Sequence, residues 1–101
     1  MPTDLRALAD LDRLIHEPAR LALTAILSVV ESADFLYLQR ETGLTKGNLS
    51  SHLAKLEEAG YVAIEKTYRG RIPLTLVRLT DKGAAAYKAY RARFKKFLEK
   101  T

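Results

Sequence analysis

The stretch "LTKGNLSSHLAKLEEAGYV", residues 44 to 62, decides the fold. At about 100° per residue Leu49, Leu53 and Leu56 fall within an arc of ~60°, so one side of a helix is to be buried. The opposite side carries Gly47, Asn48, Ser51 and Lys55, with His52 at its border. Gly, Asn and Ser are mediocre or poor helix formers, each roughly 0.5 to 1 kcal/mol worse than Ala in a helix interior. A flank meeting only water would be stabilised better by Glu, Lys and Gln. Small, polar, uncharged or basic residues instead suit a helix entering the DNA major groove. There the backbone must come close, and Asn48 can pair with adenine through two hydrogen bonds worth ~1 to 3 kcal/mol of discrimination.

Outward from this helix the punctuation is clear. Thr45 caps it, and it runs to about Ala59, where Gly60 stops it. Upstream, Asp34 caps a shorter helix with Phe35, Leu38 and Thr42 on one face. Gly43 ends that helix in the left-handed conformation and Leu44 plugs the turn. Two short helices around a tight Gly turn make a helix-turn-helix over residues 34–59. Downstream the period falls from 3.6 to 2. "YVAIEKTY" alternates, then "PLTLVRLT" does, with Leu74, Leu76 and Leu79 or their neighbours inward. The Gly-centred "RGRIP" between them predicts a hairpin over 61–79, placed as the wing of a winged helix. Thr80 caps a last helix from Asp81 to about Lys100.

Towards the start, "DLRALADLDRLI" spaces Leu5, Leu8, Leu11 and Ile15 three or four apart and predicts an amphipathic helix over 4–15, capped by Thr3 or Asp4. Pro18 then opens a central core helix, "PARLALTAILSVVES", apolar through Leu21, Ala22, Ile26, Leu27 and Val30. The expected fold is mainly α with a small antiparallel β-hairpin: a winged helix-turn-helix with extra N- and C-terminal helices, residues 1–101 forming a single DNA-binding domain.

At 101 residues the chain has a modest core that a partner subunit would help. It has no cysteine, hence no disulfide or thiolate site, and only His16 and His52 as imidazole ligands. No metal and no cofactor is expected. No apolar run approaches the ~20 residues of a membrane span and the N-terminus lacks a signal pattern, so a cytoplasmic protein without membrane contact is expected. Charge is uneven. Residues 1–34 hold three Arg against six acids, whereas residues 66–101 hold eleven Lys or Arg against two. Such asymmetry favours a polyanionic partner, although Lys-rich helices also serve solubility.

The candidate DNA contacts are therefore Thr45, Lys46, Asn48, Ser51, His52 and Lys55 on the helix, with Lys46 and the free first-turn amides holding phosphate. Arg69 and Arg71 at the hairpin tip reach the minor groove or its phosphates. Plainer readings stay open: Thr45, Gly47 and Asn48 as a helix start, His52 packing on a neighbouring helix, the wing arginines as solvated charge.

"NLSSHLAKLEEAGYV", the basic hairpin and "VRLTDKG" together resemble the winged-helix transcriptional regulators of the MarR type. "SSHLAKLEEAGYV" is also similar to the ArsR type, and "LDRLIHEPARLALTAIL" resembles the start of small single-domain members between the two. The resemblance spans residues 11 to about 87. It implies a dimeric repressor of double-stranded DNA, with Thr45 to Ala59 as recognition helix and Arg69 to Arg71 as wing tip. Many ArsR relatives sense metals through cysteine. This chain has none, so metal sensing is not carried over, and a small-molecule effector is left open.

One helix and wing cover only a few base pairs, so a two-fold dimer is expected. Tyr87, Tyr90, Phe94 and Phe97, at spacings of 3, 4 and 3, are the candidate seam, joined by Leu5 and Leu8 of the first helix. The aromatics could instead pack on their own domain. The alternative function is a winged helix that binds an acidic protein. An enzyme is not expected: the carboxylates of Asp10, Asp12, Glu57 and Glu58 have no nucleophile, phosphate loop or ligand cluster beside them.

Overall fold

The computed structural model describes residues 9–99. Helix α1 (Pro18–Leu27) starts with proline at its first turn, and the Glu17 carboxylate accepts the Arg20 N–H at 2.8 Å. The helix-turn-helix follows as α2 (Phe35–Thr42) and α3 (Lys46–Glu58). Asp34 caps α2 by accepting from Leu36 N at 2.6 Å, and Thr45 caps α3 by accepting from Asn48 N at 3.1 Å. Gly43, at φ 70°, turns the chain between them, a conformation that costs a side-chain-bearing residue.

Two strands follow the predicted change of period, and a short one ahead of α2 joins them. β1 (Ala33–Asp34), β2 (Val62–Arg69) and β3 (Ile72–Leu79) form an antiparallel sheet in the order β1-β3-β2. Val62 pairs with Leu79 and Arg69 with Ile72, leaving Gly70 and Arg71 as the turn. The two-residue β1, where Ala33 pairs with Val77, is a strand that no alternation announces. Val77 is the fully buried residue of β3, a neighbour of the leucines expected inward.

Helix α4 (Asp81–Glu99) is anchored at its start. The Thr80 hydroxyl donates to Gly60 O at 2.6 Å and accepts from Gly83 N at 3.0 Å. Gly83 then passes so close to Tyr61 that an added Cβ would lie 2.1 Å from the Tyr61 carbonyl oxygen.

The main core gathers Leu23 and Leu27 of α1, Leu38 of α2, the Leu49, Leu53 and Leu56 stripe of α3, and Val62 and Val77 of the sheet. A second cluster joins Leu11, Ile15 and Tyr90, and Tyr61 packs against both.

Two expectations need correction. The N-terminal helix was expected to reach Ile15, but residues 10–17 run in turns. The Asp12 carboxylate accepts from Leu14 N at 2.9 Å and Ile15 N at 3.3 Å, the local capture of backbone by which Asp competes with helix. Leu11 and Ile15 are buried nonetheless. Leu5 and Leu8 lie outside the described residues. The core helix also stops at Leu27, leaving Val30 partly exposed and Val29 82% exposed.

Candidate nucleic-acid interface

The stripe of α3 is sealed, with Leu49 and Leu56 at 0% exposure and Leu53 at 2%. Thr45, Lys46, Gly47, Asn48, Ser50, Ser51 and Lys55 are all exposed, so no other element covers the helix's outer side. Gly47 is informative. A Cβ there would meet nothing within 4 Å and its φ is not positive, so packing within the protein does not call for glycine.

His52 faces differently from its neighbours. Its side chain is 19% exposed, and its Nδ1 lies 3.0 Å from a terminal nitrogen of Arg20 and 3.8 Å from the Glu17 carboxylate. Arg20 also donates from Nε to Leu14 O at 2.6 Å, which ties the N-terminal turn, α1 and α3 together. The Arg20 backbone N–H is the main reason that the Glu17 carboxyl is held below the usual carboxylate range, against partial burial, with the Arg20 charge and the Ala19 N–H adding to it.

Arg69 and Arg71 are exposed at the wing tip, beside exposed Tyr68 and Ile72. Strand register separates them further. Side chains alternate between faces, so Lys66 and Tyr68 share the face of Val62 and Ile64, whereas Arg69 and its partner Ile72 point to the other. Lys66, Thr75 and Ile64 line one wall of a cleft of about 490 Å³ whose other wall is α3, with Lys46 and Ser50. The sequence reading omitted Lys66 and Arg20. A strand alternation shows Lys66 once its register is known. Arg20 bears on the site only through the packing of α1 on α3.

On the far side, Tyr90 is 3% exposed and belongs to its own protomer, where its hydroxyl lies 2.7 Å from His16 Nδ1. Burial pushes its phenol pKa up. It is therefore not on offer to a second subunit. Tyr87 and Phe94 are half-buried against the same cluster, and Phe97 stacks on Phe94 at 6.3 Å between ring centres. An open groove of about 880 Å³ runs along this helix, lined by Tyr87, Phe94 and Leu98 of α4 and by Leu21 and Val29.

A helix-turn-helix whose second helix is bare on its outer side, followed by a basic two-stranded wing, defines a winged-helix DNA-binding protein. The chain belongs to the winged helix DNA-binding domain family, whose model matches residues 19–98. It is 38% identical over 79 residues to an uncharacterised protein of Methanocaldococcus jannaschii, covering 77% of this chain and 85% of that one. The structure of a transcriptional regulator homologue from Pyrococcus horikoshii OT3 superposes with a TM-score of 0.86 at 30% identity, over 94% of this chain and 93% of that one. A protein of Enterococcus faecalis V583, described as a transcriptional regulator of the MarR family, gives 0.73 at 26% identity, over 99% and 94%. Regulators of the ArsR type share the fold. Among the described residues no helix is long and apolar enough to cross a membrane.

Proposed function

We propose that the chain is a homodimeric, sequence-specific DNA-binding repressor of the cytoplasm, without catalytic activity. The carrying observation is the uncovered outer side of α3, where Gly47 has free space around it and Asn48 and Ser51 stand exposed. Asn48 and Ser51 read base edges. Lys46, Lys55, Arg71 and the first-turn amides hold phosphates, while Arg69 serves the tip of the wing. A second copy settles along α4, against the groove rimmed by Val29 and Phe94, and sets the two reading helices one helical turn apart.

The test is selection of bound duplexes from a random pool with the full chain. A palindromic site with two half-sites is expected. Retention of every duplex alike, abolished by heparin, would instead support an acidic protein partner.

A further inference from the structure

Arg20 and His52 form a contact across two helices that the DNA reading leaves unused. A guanidinium has only N–H donors, so the nitrogen 3.0 Å from it, His52 Nδ1, must be the acceptor. A ring whose Nδ1 accepts is neutral and carries its proton on Nε2. The competing arrangement, with Nδ1–H donating to Glu17, is poorly served: that oxygen is 3.8 Å away and already takes the Arg20 backbone N–H at 2.8 Å.

Nε2 has no hydrogen-bond partner among the described residues, and no buried side-chain nitrogen or oxygen among them lacks one. Nε2 therefore opens onto solvent. His52 lies one turn on from Asn48 and one residue from Ser51, at the edge of the exposed side of α3. A neutral N–H at the rim of a helix in the major groove faces the groove wall, where the acceptors are phosphate oxygens.

We infer that Arg20 is a positioning residue for DNA binding: by donating to His52 Nδ1 it fixes the imidazole as the Nε2–H tautomer and aims that N–H at a backbone phosphate. Arg20 itself touches no DNA. Its second donor, on Leu14 O, keeps the guanidinium from turning. This assignment rests on the DNA-binding reading for its ligand but not for its internal geometry.

The test has two arms. In the free, ¹⁵N-labelled chain, imidazole nitrogen–proton correlation spectra are recorded at a pH where the ring is neutral. The wild type should hold His52 as one tautomer with bare Nδ1, and Arg20→Met should relax it to a mixture. Arg20→Lys, whose single amine cannot span both acceptors, serves if Arg20→Met does not fold. A His52 ring protonated on Nδ1, or a tautomer ratio that ignores position 20, overturns the assignment.

The second arm measures affinity for the selected duplex and for random DNA. Arg20→Met should weaken both only by the fraction of rings that leave the Nε2–H form, about twofold to threefold, and should cost nothing further in a His52→Asn background. His52→Asn keeps an acceptor near Nδ1 but loses the outward donor, so it should bind as weakly as His52→Ala. His52→Gln, whose amide can reach the Nε2 position, should recover part of the loss. Equal, additive losses from the two positions would reduce Arg20 to a packing role. A loss confined to the selected duplex would make the contact a base. Absence of any duplex binding by the wild type would sink the DNA reading and the phosphate contact together, while the spectra still judge the Arg20 geometry alone.

Discussion

Gly47 and Gly83 both stand near helix starts, yet the protein's own packing requires only one of them. A methyl at position 83 would press to 2.1 Å from the Tyr61 carbonyl oxygen, so Gly83→Ala should cost about 1 to 3 kcal/mol in denaturant unfolding. A methyl at position 47 meets open space, so Gly47→Ala should gain up to about 1 kcal/mol in stability, and lose DNA affinity because the backbone can no longer approach the groove as closely. Unchanged affinity in a stabilised Gly47→Ala chain would contradict the proposed docking. The two needs differ in legibility: Gly47 stands out against its neighbours in sequence, whereas the need at 83 arises from a carbonyl 22 residues away. Tyr61 is a similar long-range case. Its hydroxyl donates to Asp12, and this bond, with burial and the nearby carboxylate charge, pushes the phenol up to about 12. The fold thus favours the neutral phenol. That stabilisation is complete below the unfolded value of about 10 and disappears as pH rises through about 12. Absorbance titration should find Tyr61 and Tyr90 both still protonated above pH 10, and Asp12→Asn should return one of them, Tyr61, towards the ordinary value. Ionisation near pH 10 in the intact fold would remove the Asp12 bond from the account.

Elements whose ends are written in local chemistry were readable. Asp34, Gly43 and Thr45 act within a few residues of themselves, as Thr80 does in capping Gly83 N–H, and each terminates or caps as its side chain or backbone demands. The misses depend on partners or on brevity. The turn at residues 10–17 has helical spacing, but one Asp12 oxygen captures two amides and the other binds Tyr61, from β2's entry. β1 is two residues long and has no period to show. The wing's existence was legible; its facing was not, since a register decides which basic residues lie on the side of α3. The proposed contacts imply a division of labour, to which the register adds Lys66. Asn48→Ala should flatten sequence preference, whereas Arg71→Ala and Lys66→Ala should weaken all duplexes alike, each lowering the salt slope by about 1. Binding titrations at several salt concentrations on specific and random DNA separate these outcomes. A Lys66→Ala chain with an unaltered slope would place the DNA backbone away from the cleft between wing and helix.

At the scale of the molecule, charge and apolar surface meet along α4, where Lys88, Arg91 and Lys95 line the same groove as Val29 and Leu98. The basic excess of residues 66–101 surrounds the wing and α4, while the exposed apolar residues Val29 and Leu98 meet in the groove along that same helix. A dimer built there would cover the apolar strip and leave two reading helices with a shared positive field. If each protomer neutralises three or four phosphates, the pair releases roughly 6 to 8 counterions, and affinity falls ~10³-fold or more between 50 and 200 mM salt. The seam read from aromatic spacing has to be redrawn, because Tyr90 is spent inside the protomer. Tyr90→Ala should therefore damage the monomer itself, by about 3 kcal/mol or more. Val29→Glu is the cleaner probe, since its side chain is 82% exposed and supports no core. It should leave thermal unfolding of the protomer little changed, shift sedimentation to the monomer, and cost at least ~100-fold on a two-half-site duplex while sparing a single half-site, because the second contact would no longer be intramolecular. A Val29→Glu chain that sediments as the wild type and keeps its palindrome affinity would move the dimer interface off this groove.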